Sequence, residues 1–111
     1  MTKVYITNGI SPTMFPTPCN AVINTITIDE AKKVLGNNFI SAIGHESTAK
    51  LLTELLGINV PMNRITVKAE YNDIIIVLAL KNRISEGKIL TKEEIEQIGY
   101  ELYSIHIKPS Q

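Results

Sequence analysis

The chain alternates apolar and polar positions in short blocks, broken by glycine, proline and asparagine, and each block predicts one element. Lys3 to Thr7 sets Val4 and Ile6 on one side and Lys3, Tyr5 and Thr7 on the other, which is strand periodicity. Asn8-Gly9 ends it. Ser11 to Asn20 carries Pro12, Pro16 and Pro18 and reads as a loop, with one helical turn opened by Ser11 as cap and Pro12 at the first helical position. Val22 to Ile28 alternates again as a second strand. Asp29 to Leu35 is a short helix stopped by Gly36, its Lys32-Lys33 suited to the negative end of the helix dipole. Phe39 to Ile43 is a brief apolar strand ending at Gly44. Ala49 to Leu56 places Leu51, Leu52, Leu55 and Leu56 on one helical stripe, which reads as core, and Gly57 closes it.

Beyond that helix, Ile65, Val67 and Ala69 alternate with Arg64, Thr66 and Lys68, predicting a half-buried strand. Ile74 to Leu80 is the most continuous apolar run, and its β-branched residues predict a central strand buried on both faces. Asn82 to Lys88 is a polar turn. Thr91-Lys92-Glu93-Glu94 matches a capping box that opens a helix to about Ile98. Tyr100 to Ile107 forms the last strand. These elements predict an α/β fold: one domain over residues 1–111, with a mixed sheet of about five or six strands and flanking helices.

The length of 111 residues suits one domain with a real core but little area for a deep private cleft. A ligand larger than a metabolite is therefore expected on a surface that a second subunit completes. Lys plus Arg number 11, as do Asp plus Glu, so the formal net charge is zero. That balance argues against a protein that coats long nucleic acid, since phosphate neutralisation supplies most of such affinity. It leaves room for a compact phosphodiester met by a few placed groups. A single cysteine, Cys19, permits neither an intrachain disulfide nor a cysteine-based zinc site, and it fits a reducing compartment. No secretory leader and no apolar run near the length of a bilayer span is seen, so a cytoplasmic location with no membrane partner is expected. No Gly-rich nucleotide fingerprint, HExxH pair or GxSxG elbow occurs, and no metal or cofactor is expected.

Chemistry concentrates in Ser41-Ala42-Ile43-Gly44-His45-Glu46-Ser47-Thr48. An apolar strand ends at Gly44 and a helix starts within a few residues. The free N–H groups and partial positive charge of a helix N-terminus attract anions, and Ser47 and Thr48 add hydroxyls there. The turn also lies beyond a strand's carboxyl end, where open α/β sheets hold ligands. His45 at this position can protonate an oxygen leaving group. The plainer reading is that His45, Ser47 and Thr48 merely cap the helix, and local pattern alone favours it. A second cluster, Lys81-Asn82-Arg83-Ile84-Ser85-Glu86-Gly87-Lys88, offers Arg83 for bidentate phosphate contact and Glu86 for proton handling; alone it reads equally as a solvated charged turn. Arg64 and His106 read as surface residues.

Three blocks taken together carry a family resemblance: Lys3-Val4-Tyr5-Ile6-Thr7-Asn8-Gly9-Ile10-Ser11 with Met14 and Pro16, then Ile40 to Thr48, then Arg83-Ile84-Ser85-Glu86-Gly87-Lys88-Ile89-Leu90. In order and spacing the chain resembles the viral ring nuclease anti-CRISPR family, small proteins of crenarchaeal viruses and bacterial mobile elements. The resemblance implies a homodimer that binds cyclic tetra-adenylate, the messenger of type III CRISPR defence, and cuts it without metal to linear di-adenylate ending in 2′,3′-cyclic phosphate. It implies His45 as general acid and Glu86 as its assisting carboxylate, with Asn8, Ser11, Ser47, Thr48, Arg64 and Arg83 holding phosphates and riboses. The chain departs from the family pattern at Gly9-Ile10, where a small residue precedes an aromatic one, and at Thr13, where an amide is common. Those departures motivate a second reading, a non-catalytic nucleotide or nucleic-acid binding module acting as sponge or sensor.

Overall fold

The computed structural model describes residues 2–81 and 91–110. Five strands and three helices follow in the order β1 (Val4–Thr7), β2 (Cys19–Ile26), α1 (Ile28–Leu35), β3 (Ile40–Ser41), α2 (Glu46–Leu56), β4 (Ile74–Leu80), α3 (Lys92–Ile98) and β5 (Tyr100–Pro109). The strands form one mixed sheet in the order β2-β5-β4-β1-β3. β1 runs parallel to both β3 and β4, with Tyr5 opposite Ile40 and Ile75. β5 is antiparallel to β4 and to β2. The carboxyl ends of β1, β3 and β4 therefore share one edge of the sheet.

Strand alternation divides the core into two layers. Ile6, Ile76, Leu78 and Leu102 face the helices and pack with Ala31, Leu35, Leu51, Leu52, Leu55, Leu56 and Ile95. The opposite face presents Tyr5, Ile75, Val77, Ile105 and Ile107, and it is covered not by helices but by Met14, Val67 and Ala69 from two long connections. β4 lies at the centre and is buried on both faces, as its unbroken apolar run requires. The leucine stripe of α2 is wholly buried. Its end is fixed by Gly57, whose φ of 71° is a left-handed conformation that other residues resist. Among the described residues no helix is long and apolar enough to cross a membrane.

Several boundaries differ from expectation. β2 starts at Cys19 rather than Val22, because β5 runs on to Pro109 and gives the extra residues partners. It stops at Ile26 because Thr27 caps α1 in a reciprocal box with Glu30, the two bonds measuring 3.1 and 2.9 Å. α2 begins at Glu46, a turn before Ala49, and β3 shrinks to two residues. The strand expected over Arg64–Ala69 is absent: no strand lies between Leu56 and Ile74. The alternation there has another cause. The segment is an extended strap on the open sheet face, burying Val67 and Ala69 and exposing Thr66 and Lys68, but it meets loops rather than a strand ladder. Its backbone is held by isolated bonds, Asn63 N–H to the Ile43 carbonyl at 2.8 Å and Ala69 N–H to the Met14 carbonyl at 2.9 Å.

Thr53 joins α2 to this strap. Its hydroxyl donates to the Ala49 carbonyl at 2.9 Å and accepts the Val60 N–H at 2.9 Å. Thr53→Val keeps the shape but orphans that N–H, and a loss of about 1–3 kcal/mol in chemical denaturation is expected. A change within error would show that water replaces the hydroxyl.

Candidate functional site

The site expected at Gly44–Thr48 forms where β3 passes into α2. His45 is the N-cap residue of α2, with extended φ and ψ of −129° and 136°. Its carbonyl accepts the Ala49 N–H at 3.0 Å, the first bond of the helix. Its side chain makes no capping hydrogen bond. The plain capping role is thus not what the ring does: it stands exposed at the mouth of the helix. Ser47 and Thr48 sit half-buried in the first turn. Glu46 in the same turn complements the helix dipole and pairs with Lys50 at 3.3 Å. An anion approaching the N–H groups therefore meets one carboxylate already partly neutralised by lysine.

Arg64, expected to be an ordinary surface charge on residue pattern alone, is brought to this turn by the strap. Its Nε donates to the Gly44 carbonyl at 2.9 Å, one residue from His45. The contact holds one edge of the guanidinium and leaves its terminal amines for a ligand. The strap is placed by Asn63, whose Nδ2 donates to the Ser41 carbonyl at 2.7 Å, and by Ser41, whose hydroxyl donates to the Pro61 carbonyl at 2.6 Å. Asn63 carries no motif, and Ser41, though it opens the block before His45, gave no sign of this positioning role. Space does not demand glycine at Gly44: a Cβ there would meet Arg64 Cγ at 3.7 Å, an ordinary contact.

Asn8 and Ser11 lie on the connection that leaves β1, at the sheet edge from which the Gly44 turn also departs. The two are linked by the Ala42 N–H, which bonds the Ile6 carbonyl at 2.8 Å. Both are exposed. Ser11 caps the predicted helical turn, a 3-10 turn over Pro12–Met14, and its hydroxyl lies 3.0 Å from that of Thr13. Arg83 and Glu86 lie outside the described residues. The structure thus gathers His45, Ser47, Thr48 and Arg64 at one turn and sets Asn8 and Ser11 on a neighbouring loop of the same edge. These side chains are a histidine, hydroxyls, an amide and a guanidinium around a helix N-terminus, which suits a phosphate-bearing ligand.

Comparison with known proteins accords with this architecture. A family profile described as STIV B116-like matches residues 4–102. Protein 26 of Sulfolobus islandicus filamentous virus is 46% identical over 84 residues, covering 74% of this chain and 71% of the viral protein. ORF117 of Acidianus two-tailed virus is 42% identical over 87 residues, covering 75% and 74% respectively. The bacterial protein YddF of Bacillus subtilis is 37% identical over 81 residues, covering 70% of this chain and 75% of its own. The solved structure of B116 of Sulfolobus turreted icosahedral virus superposes with a TM-score of 0.79 at 28% identity, covering 93% of this chain and 97% of B116. With the family match running from β1 to the start of β5 and over the whole Gly44–Thr48 turn, the chain belongs to the STIV B116-like family, small proteins found in archaeal viruses.

Proposed function

We propose that two copies of this chain bind cyclic tetra-adenylate between them and cut it, without a metal ion, to linear di-adenylate, countering type III CRISPR signalling in the cytoplasm of the host. The observation that carries the reading is His45: it occupies the cap position of α2 yet its exposed ring makes no capping hydrogen bond, beside helix N–H groups and a pinned arginine.

Those groups match what the reaction asks. The ribose 2′-hydroxyl attacks the adjacent phosphorus as its proton passes to solvent water, a new P–O2′ bond forms, and the P–O5′ bond breaks. The protein has to hold the line of attack, stabilise charge on the phosphoryl oxygens and protonate the departing 5′-oxygen. His45 supplies the proton. Arg64 and the amides at Ser47 and Thr48 face the phosphoryl oxygens, while Asn8 and Ser11 hold ribose or phosphate. By resemblance Arg83 adds a phosphate contact and Glu86 assists His45. A two-fold dimer offers the constellation twice, and a four-membered ring can share that symmetry, so two cuts release two di-adenylates with 2′,3′-cyclic phosphate and 5′-hydroxyl ends.

Incubation of the protein with cyclic tetra-adenylate in excess EDTA, read by mass, tests this directly. The expected product is di-adenylate with a cyclic phosphate end. Intact ring would overturn the nuclease; intact ring recovered bound to the protein would leave a sponge or sensor in its place.

A further inference from the structure

β3 is the last strand of the sheet, and among the described residues no strand pairs with its outer side. The chain that leaves it is held on both sides all the same. Inward, the Ala42 N–H bonds the Ile6 carbonyl of β1 at 2.8 Å. Outward, the carbonyls of Ser41, Ile43 and Gly44 each take a donor from one of two consecutive residues. These donors are Asn63 Nδ2 at 2.7 Å, the Asn63 N–H at 2.8 Å and Arg64 Nε at 2.9 Å. Asn63 and Arg64 thus do for this short segment what a neighbouring strand does for a long one. The segment leads directly into His45.

Asn63 also holds its own stretch of chain. Val60 and Val67 are buried, and of the six residues between them only Asn63 is not exposed. Val60 is fixed to α2 through Thr53, and Val67 packs on the open face of the sheet. Between those two anchors the chain is drawn inward by the Ser41 hydroxyl on the Pro61 carbonyl and by Asn63. Arg64 comes next, exposed and with a long side chain that would otherwise sample many rotamers.

We propose that Asn63 is a positioning residue for ring cleavage and acts through Arg64, an assignment that rests on the proposed function. By gripping the Ser41 and Ile43 carbonyls it sets the guanidinium on the Gly44 carbonyl, one residue from His45, with the terminal amines left for the phosphate. The effect falls on rate more than on binding. An arginine that swings loose keeps its charge near the mouth of α2, and the ring has other contacts. Stabilising the phosphoryl oxygens as the P–O5′ bond breaks needs the guanidinium in place, and a misplacement of about 1 Å can cost roughly 100-fold. Alanine at this position keeps the N–H and loses the side-chain donor to Ser41.

The test is Asn63→Ala, with far-UV circular dichroism as the check on folding and two readouts. The first needs no ring. A held arginine Nε–H exchanges slowly with water and is seen by proton–nitrogen NMR, where its absence in Arg64→Ala identifies it. The signal is expected in the parent and is expected to be lost to exchange in N63A; equal protection in N63A overturns the assignment. The second readout is a double-mutant cycle in single-turnover cleavage of cyclic tetra-adenylate. N63A is expected to cut about 10- to 100-fold more slowly than the parent with ring affinity within about threefold, and to cost less than about threefold once Arg64 is alanine. An asparagine that only supports the fold would cost the same factor in both backgrounds. That result overturns the proposal, as does N63A cutting within about threefold of the parent. Should N63A fail to fold, Ser41→Ala, which removes the tie to Pro61, reads the same two signals by the same criteria. A parent that leaves the ring uncut sinks the nuclease and with it the role in cleavage, while the Nε–H signal still decides whether Asn63 holds Arg64.

Discussion

His45→Ala is expected to slow cleavage of cyclic tetra-adenylate by a factor of about 100 to 10,000, the range typical of removing one general acid, while leaving the ring bound. The ring nitrogens make no capping bond, so α2 loses nothing by the truncation, and the first helical bond comes from the His45 carbonyl, which alanine retains. Melting temperature is therefore expected to hold within a degree or two. This separates catalysis from folding cleanly. Single-turnover rates of parent and variant, with ring binding measured alongside, make the comparison. A variant cutting within threefold of the parent would remove His45 from the mechanism. Loss of binding together with loss of rate would recast it as a contact that holds the ligand.

The largest effect on stability is expected at Asp73, the residue just before β4. Its side chain is 1% exposed. One carboxylate oxygen accepts the Lys3 N–H at 2.9 Å, the other the Glu70 N–H at 2.8 Å, and the Lys3 ammonium stands 3.7 Å away. That ammonium also bonds Glu70 at 2.7 Å, which favours its charged form. Asp73 thus pins the chain ahead of β1 and the end of the strap to the start of β4. Asp73→Ala strands two amides and leaves the Lys3 ammonium with Glu70 as its remaining partner; at about 1.5–3 kcal/mol for each of the two bonds to the charged group, a loss of roughly 3–6 kcal/mol follows, a large part of the ~5–15 kcal/mol of a typical domain. At roughly 4 °C per kcal/mol the melting point should fall by about 12–24 °C. A fall under 3 °C would mean that the three segments are held together by apolar packing alone.

The legible parts of the fold were those whose cause is local. α2 and its glycine stop, the capping box at Thr91, and β4 follow from spacing and side-chain chemistry within a few residues. The strap did not, because Val67 and Ala69 obey strand periodicity while lying on a sheet face with no ladder beside them. Periodicity reports which side is buried, not whether the backbone has a strand for a neighbour. The candidate site divides the same way. His45, Ser47 and Thr48 are adjacent in the chain and announced themselves as a helix start. Arg64 gave no local sign of its role, being 20 residues from the carbonyl it grips. Asn63, which helps place it, gave none at all, and Ser41 stood in the singled-out block without any sign of this role.

What the sequence by itself determined is the set of elements and the chemistry that one of them offers: strands and helices whose patterns and caps are short-range, and a histidine at the mouth of a helix. What only the tertiary structure decided is which distant residues share that mouth, and which strand lies outermost. Both depend on strand order. β1 between β3 and β4 brings the Asn8 loop and the Gly44 turn to one edge, and β2 lies at the far edge, an uncharged strand paired with β5 alone among the described strands. Strand order arises from the burial of the whole apolar surface at once, a sum over contacts distant in sequence, and no window of residues contains it.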